Sequence, residues 1–559
     1  MIPIRIKCRV FEKVIFSINK RTKHLWNIEK VVKSPYKDVV IPDMPICDYM
    51  WRNLGRWSKK KAVVCGITDR SYTYQQLYRQ SRALGANLRR KFKIQDGDAI
   101  AVMLPNMPEY PIVILGTLTA GGLVTTLNPV YTAYEIARQI QMSHPKIFIA
   151  VRDTAPIIKD ALIKCKLNVP IIIVDVDENR LEDTVSFKEL VDDNNIDLNI
   201  LKEVKCNKGD VSLLLYSSGT TGLPKGVELT HRNVIANSEQ LNSSEIKMFN
   251  DTTDSNQDTI LSYLPMFHSY GLCVVLIHKL SVGMKLVTLP KFQSDIFVNT
   301  LEKYDFTTLS LVPPTVLFLA TNSEVNSKHF TKLKNVFVGA APTPMADIEQ
   351  FLNKVNHDIQ FSHIYGLTET SPMALAPPLN FKDYTSVGFA LSNCEIRVVN
   401  NQLNNLGPNE LGELLIKGPN VTKGYKNNPE ANEQAFVEKE WLRTGDLVKI
   451  NEDGSVVIAD RLKEIIKVNA YQVPPAELEN VIKEHPAVFD VAVIGVPDEK
   501  TGEKPKAFVV LNKGFNVTEK EIMEHVSDKV APFKKLKEVV FIDTIPKNST
   551  GKVLRRLLH

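Results

Sequence analysis

No Cys-x-x-Cys pair occurs in this chain, and its seven cysteines (Cys8, Cys47, Cys65, Cys165, Cys206, Cys273 and Cys394) are odd in number and scattered. That argues against a disulfide framework and a structural zinc site, and for a reducing compartment. A charge imbalance is missing from the body of the chain. Lys and Arg total 69 against 63 Asp and Glu, and the first thirty residues, with eight Lys or Arg and two Glu, account for the whole net charge of +6. A nucleic-acid binder needs a basic face on its folded body, and nothing here supplies one. A clean membrane span is missing too. The longest uncharged stretch, Tyr110 to Tyr134, is long enough for one, yet it contains Pro111, Asn128, Pro129 and three Gly. It reads as a buried helix followed by a buried strand. Repeats and low-complexity runs are absent. A composition of 44% hydrophobic and 24% charged residues excludes a disordered chain, a collagen-like chain and a coiled-coil rod.

What is present is an alternation of helical and strand patterns. Tyr74 to Lys91 sets Leu77, Leu84 and Leu88 on one helical face, and Ala99 to Leu104 is a short apolar run between Asp98 and Pro105. A helix over 110–119, a strand over 123–127, a helix over 134–142 and a strand over 147–151 follow. Such alternation predicts α/β layers with largely parallel sheets. Near residue 460 the pattern changes. Helices over 475–483 and 519–526, with strands over 491–496, 507–511 and 539–542, describe a separate small α+β domain. The expected organisation is a basic N-terminal extension (1–34), a large domain (35–459) and a small domain (460–559) joined by a hinge near residue 460. The extension is acid-poor and mixed with apolar residues, so it fits either a mitochondrial presequence or a plain basic tail on a cytoplasmic protein. The chain ends Leu557-Leu558-His559, without the Ser-Lys-Leu peroxisomal address.

The segment richest in chemistry is Tyr216-Ser217-Ser218-Gly219-Thr220-Thr221-Gly222-Leu223-Pro224-Lys225-Gly226, which follows the apolar strand Val211 to Leu215. From Ser217 on, four hydroxyls, three glycines and one lysine fall within ten residues. Glycines let the backbone approach a phosphate and turn N–H groups inward, hydroxyls donate further bonds, and the lysine adds charge. It is not a Walker A loop, because Pro224 stands where the second glycine is required. Thr230 reads as the N-cap of the next helix.

This loop closely resembles the signature of the acyl-adenylate-forming superfamily, which includes acyl-CoA synthetases, 4-coumarate:CoA ligases and beetle luciferases. Further segments resemble the same family in the same order: Leu264-Pro265-Met266-Phe267-His268-Ser269-Tyr270-Gly271, Gly339-Ala340-Ala341-Pro342, Tyr365-Gly366-Leu367-Thr368-Glu369, and Trp441-Leu442-Arg443-Thr444-Gly445-Asp446. The hinge Asp460-Arg461-Leu462-Lys463-Glu464-Ile465-Ile466-Lys467 and the lysine motif Pro546-Lys547-Asn548-Ser549-Thr550-Gly551-Lys552 complete the set.

The resemblance implies a large multi-layer α/β domain with a small mobile α+β domain, and an AMP-forming acid–thiol ligase that uses ATP, Mg2+ and coenzyme A. ATP converts a carboxylate to an acyl-adenylate, and a thiol then displaces AMP. Both steps are charge-dense, so fixed cations and aimed donors should carry most of the catalysis. By resemblance, Ser217, Ser218, Gly219, Thr220, Thr221, Gly222 and Lys225 would cradle the phosphates. His363, Tyr365, Gly366 and Leu367 would hold adenine, with Tyr365 stacking on it. Thr221, Thr368 and Glu369 would hold phosphate and Mg2+, a hard cation that takes oxygen ligands. Asp446 would bind the ribose hydroxyls, with Arg461 and Lys463 nearby. Lys552 would bridge the carboxylate and the α-phosphate, and His268 and Lys467 complete the expected catalytic set. His268, Tyr270, Phe337, Gly339, Ala340, Ala341 and Ile364 would line the acid pocket. Asn469 and Ala470 would lie on the CoA path, and Asp460 would be the pivot between adenylation and thiol transfer.

Four positions depart from the family pattern. His363 and Ile364 replace Gln-Gly, which would narrow or reshape the acid pocket. Phe337 replaces the lysine common in coumarate ligases, giving an apolar wall. Asn469-Ala470 replaces Lys-Gly, which bears on the thiol step. Ala390 replaces a frequent proline. The expected activity is ligation of a hydrophobic monocarboxylic acid to CoA, with a medium-chain fatty acid first and an aryl-propenoic acid second. A luciferase-like adenylating oxygenase and a non-catalytic binding protein are the rivals. Partners are small molecules only, and the chain is expected to be a monomer or a homodimer.

Overall fold

Local chemistry fixes the helix ends. Gln76 donates its N–H to Thr73 Oγ1 at 3.2 Å and accepts the Thr73 N–H at 2.8 Å, a capping box that starts the helix Tyr74–Phe92. The helix stops at Lys93, whose φ of 57° is left-handed. Its Leu84 presses on Gly116 of the helix Tyr110–Thr119, where a Cβ would come within 2.7 Å of Leu84 Cδ2. Glycine therefore sets how closely the two helices approach. All nine residues from Tyr110 to Leu118 are buried, which explains the uncharged stretch as core. Among the described residues, no helix is long and apolar enough to cross a membrane.

The computed structural model describes residues 25–174, 181–217, 224–340, 343, 345–461, 466–469, 471–473, 475–546, 553 and 555–558. Several sequence expectations lie outside these residues: positions 1–24 of the N-terminal extension with its targeting reading, the phosphate-loop residues Ser218, Gly219, Thr220, Thr221 and Gly222, and Ala341, Lys463, Ala470 and Lys552. The expected extension over 1–34 is too long, because Leu25, Val31 and Val32 are buried and Val32–Lys33 pairs with Glu395–Val399. Asp460 and Arg461 are described by their backbone.

Two mostly parallel sheets form the large domain. One has eight strands, and its centre pairs Val211–Ser217, Leu123–Thr126, Ala99–Met103, Ile147–Ala150 and Ile171–Ile173 in parallel. The other has seven strands, with Gln360–His363, Asn335–Val338, Thr308–Leu311, Thr259–Ser262 and Lys285–Thr288 running parallel from one edge inward. A third sheet of six strands is wholly antiparallel and contains Trp441–Ile450 and Val456–Arg461. The sequence alternation did not announce it. The small domain is a five-stranded sheet built on the hairpin Val488–Asp498 with Gly502–Leu511, packed against the helices Pro475–Lys483 and Glu519–Ser527. The α/β class with an added α+β domain is thus as expected.

After the glycine-rich segment a further strand, Lys225–Thr230, pairs antiparallel with Val211–Ser217. Thr230 does cap the helix His231–Leu241, accepting from Asn233 N–H at 3.1 Å.

Candidate active site

Ligands in α/β proteins gather beyond the carboxyl ends of parallel strands. Here such ends from both sheets meet in one cavity. It is lined by Thr126 and Asn128 after Leu123–Thr126, Ser217 at the end of Val211–Ser217, and Leu264, His268 and Tyr270 after Thr259–Ser262. Val312, Ala340 and Thr368 follow three more strands. The small domain closes the mouth with Tyr471, Glu477, Phe533 and Lys534. The remaining volume is about 110 Å3, well below the ~300 Å3 at which ordinary ligand pockets begin. The aromatic pair Tyr471–Phe533, stacked at 4.1 Å, belongs to this lining.

Beside the glycine-rich segment, Lys225 Nζ stands 4.9 Å over the Tyr425 ring, and Tyr425 Oη donates to Glu369 Oε1 at 2.9 Å. Burial, with the Glu369 charge beside it, pushes the Tyr425 phenol far up and keeps it a donor. Glu369 is therefore held in place, and a single fixed carboxylate beside the Thr368 hydroxyl suits Mg2+, which binds one or two carboxylates and completes its shell with phosphate and water. Among the described residues, no group of three or more His, Cys, Asp or Glu could hold a metal without such help.

Tyr365 Oη donates to Asp446 Oδ2 at 2.7 Å, and Asp446 is 3% exposed. Gly445, at φ 69°, lets the chain turn so that Asp446 N–H reaches Thr444 Oγ1 at 3.1 Å. Asp446 pairs with Arg461 across adjacent strands, so the two are brought together as expected. Gly366 is needed for a reason internal to the chain: a Cβ there would collide with the Pro372 carbonyl. Leu367 serves the same turn, its N–H donating to Pro372 O at 2.9 Å. His363 donates from Nδ1 to Tyr384 O at 2.9 Å, and its buried Nε2 has no partner among the described residues.

Across the cavity, His268 is exposed to the cleft, and its Nδ1 accepts the Tyr270 N–H at 3.3 Å. Its depth in the protein pushes its pKa down, toward about 4. The ring is therefore neutral at pH 7. Gly271 allows the helix to start against the Pro265 carbonyl, which a Cβ would strike. Ala340 sits at φ 73°, a strained setting for a residue with a side chain.

The whole-chain comparisons point the same way. The sequence model of the AMP-binding enzyme family matches residues 50–426, and that of the AMP-binding enzyme C-terminal domain matches 477–552. The chain belongs to the AMP-binding enzyme family. It is 35% identical to 4-coumarate–CoA ligase 1 of Petroselinum crispum over 538 residues, covering 95% of this chain and 96% of the relative. It is 32% identical to 4-coumarate–CoA ligase 1 of Arabidopsis thaliana, covering 98% of both. A double mutant of o-succinylbenzoate CoA synthetase from Bacillus subtilis, bound with a product analogue, superposes with a TM-score of 0.78 at 25% identity, covering 92% of this chain and 98% of that one. ATP-bound MatB from Rhodopseudomonas palustris gives a TM-score of 0.66 at 27% identity, with the same 92% and 98% coverage. This AMP-binding enzyme is an AMP-forming acid–thiol ligase by kinship and fold.

Within this AMP-binding enzyme, Phe337 is 4% exposed and is not among the described residues that line the cavity, and Lys279 Nζ lies 4.8 Å over its ring. Ile364 packs against Gly339, where a Cβ would come within 3.0 Å of Ile364 Cγ1, so Gly339 and Ile364 shape the wall from behind. The described lining of the cavity includes neither Lys467 nor Asn469. Lys467 N–H donates to Glu503 Oε2 at 2.6 Å, Asn469 forms an exposed turn at φ 47°, and Tyr471 of the same hairpin reaches the cavity.

Sequence reasoning missed Lys534, whose Nζ donates to Glu135 Oε1 at 2.7 Å and Glu477 Oε1 at 2.9 Å. Burial alone would push its pKa down, but Glu477, Tyr131 and Glu135 outweigh burial and hold it protonated. It missed Tyr425 as well. The Gly424–Tyr425 strand, paired to Lys225–Thr230, carried no signal of its own.

Proposed function

We propose that this AMP-binding enzyme is an ATP- and Mg2+-dependent acid–CoA ligase acting on a hydrophobic monocarboxylic acid, with a medium-chain fatty acid as the first substrate class. The observation that carries this reading is the convergence of an apolar wall (Leu264, Tyr270, Val312, Ala340) on the cavity that also holds Ser217 and Thr368. An acid's tail and a nucleotide's phosphates would meet there. A second reading, an aryl-propenoic acid, is favoured by the 35% identity to 4-coumarate–CoA ligases.

In the first step a carboxylate oxygen attacks the α-phosphorus and pyrophosphate leaves. In the second the CoA sulfur attacks the acyl carbon, the thiol loses its proton and AMP leaves. Tyr365 and Asp446 would orient the nucleoside, and Lys225 and Thr368 would hold phosphates. Mg2+, held by Glu369 and phosphate oxygens, would neutralise charge. Lys552, by its motif, would join carboxylate and α-phosphate. Neutral His268 would border the reacting carboxylate without adding charge.

The experiment is a pair of assays over fatty and aryl acids: acid-dependent pyrophosphate release and CoA thioester formation. Both signals with one acid class support the reading and name the substrate. Pyrophosphate without thioester would mean that the acceptor is not CoA or that Asn469-Ala470 impairs the thiol step. Light or oxygen uptake in place of thioester would favour the oxygenase rival. Silence in both, with Mg2+ present, would remove the reading.

A further inference from the structure

Lys225 and Glu369 lie in different motifs, yet one side chain outside both motifs touches each of them. Tyr425 Oη donates to Glu369 Oε1 at 2.9 Å, and Lys225 Nζ stands 4.9 Å from the centre of the same ring. Tyr425 is 9% exposed and Glu369 8%, so water competes little for the bond between them. That bond occupies one carboxylate oxygen and leaves the other for a cation. The Lys225 charge meets the face of the ring, where the π-system is negative. Hydroxyl and ring face are thus both engaged by charged groups that the ligase chemistry needs.

The backbone around Tyr425 is fixed to the same two motifs. Gly424–Tyr425 pairs antiparallel with Val227 and Glu228 of the strand that begins at Lys225. Lys426 N–H donates to Gly226 O at 2.8 Å, and Thr422 N–H donates to Glu369 O at 2.8 Å. Asn432, on the helix Pro429–Ala435, clamps Tyr425 itself. Tyr425 N–H donates to Asn432 Oδ1 at 2.7 Å, and Asn432 Nδ2 donates to Tyr425 O at 3.0 Å. A Cβ on Gly424 would come within 2.8 Å of that Oδ1, so glycine there admits the clamp. Residues 422–426 form a bracket, bonded to the strand of Lys225 on one side and to Glu369 on the other.

Resting on the ATP- and Mg2+-dependent ligase reading, we propose that Tyr425 is a positioning residue that couples the metal to the nucleotide. Its hydroxyl sets the Glu369 carboxylate for Mg2+, and its ring sets the Lys225 ammonium for phosphate. The gain in ATP affinity that accompanies Mg2+ therefore depends on Tyr425. Two substitutions separate the two contacts. Tyr425→Phe keeps the ring beneath Lys225 and removes the bond to Glu369. Tyr425→Leu removes both.

The test is calorimetric ATP binding to the full chain, once with saturating Mg2+ and once with EDTA in its place. The quantity read is the ratio of the two Kd values. Wild type is expected to bind more tightly with Mg2+. In Tyr425→Phe the ratio is expected to fall toward one, by up to about tenfold, the scale of one hydrogen bond to a charged group, while binding in EDTA stays close to wild type. In Tyr425→Leu binding in EDTA weakens as well, by about two- to fivefold, the scale of one cation–π contact. A ratio unchanged in Tyr425→Phe, an equal loss in both conditions included, marks a structural role and overturns the proposal. If that variant does not fold, Asn432→Ala removes the clamp and keeps the side chains of Tyr425, Glu369 and Lys225. It is expected to lower the ratio part of the way, and an unchanged ratio there overturns the proposal too. ATP binding by wild type with a ratio near one overturns the coupling and leaves nucleotide use standing. No ATP binding by wild type in either condition overturns the ligase reading as well.

Discussion

At Asp446 a carboxylate that is 3% exposed is positioned by the Tyr365 hydroxyl at 2.7 Å, so ring and carboxylate move as one unit. Asp446→Asn keeps the shape and removes the charged acceptor. It is expected to raise the KM for ATP about tenfold, with a melting temperature close to wild type, read by pyrophosphate release and thermal unfolding. His231 gives a pH prediction. Ile46 N–H donates to its Nδ1 at 3.1 Å, so Nε2 carries the proton and meets Cys206 Sγ at 3.1 Å. Burial depresses its pKa from 6.5 to about 4, with Asp210 opposing. The unfolded chain therefore binds the extra proton between those values. The stabilisation is whole above about 6.5 and is lost as pH falls toward 4, on the order of 3 kcal/mol. Urea unfolding at pH 7 and pH 5 is expected to show a larger loss for wild type than for His231→Gln, whose amide can still accept from Ile46.

At the scale of elements, the helix beginning at Tyr270 depends on Gly271, where any Cβ meets the rigid Pro265 carbonyl. Gly271→Ala is expected to cost at least about 2 kcal/mol in denaturant unfolding, because a backbone neighbour cannot rotate away. Single elements were legible in the sequence where one local rule decided them. Leu77, Leu84 and Leu88 share a helical face, and Thr230 caps its helix. The strand Lys225–Thr230 was not legible, because Lys225-Gly226 reads as loop and the strand exists only through pairing with Val211–Ser217. The Tyr425–Glu369 bond spans 56 residues and the Lys534–Glu135 bond 399, separations that no spacing rule reports. Phe337 was legible as an apolar residue, whereas the lysine above its ring comes from a different element and was not.

For the whole molecule, the contact between the domains is concentrated at one helix end. Thr132 Oγ1 donates to Lys529 O at 2.8 Å, Tyr134 Oη to Glu484 Oε1 at 2.8 Å, and Glu135 accepts from Lys534. Lys534→Met would leave Glu135 and Glu477 facing each other with no cation between them. Removing one partner of a buried ion pair costs about 3–5 kcal/mol. That cost is expected to favour separation of the domains, seen as a larger radius of gyration in solution scattering and faster proteolysis near residues 462–465. Lys534→Met with Glu135→Gln should recover part of the compaction. An unchanged radius in the single variant would show that the clasp does not hold the domains.

Glu135 has a second duty: its other oxygen accepts the Thr132 N–H at 2.9 Å and so caps its own helix. When the domains part, that carboxylate keeps its cap, and Lys534 keeps Glu477. The bonds exchanged for water on opening are thus polar, and the apolar side chains at the same contact include Tyr131 and the Tyr471–Phe533 pair. Heat-capacity change follows apolar exposure and is reduced by polar exposure. Opening should therefore carry a small heat-capacity change, and the balance between closed and open forms should vary little with temperature while responding to ionic strength.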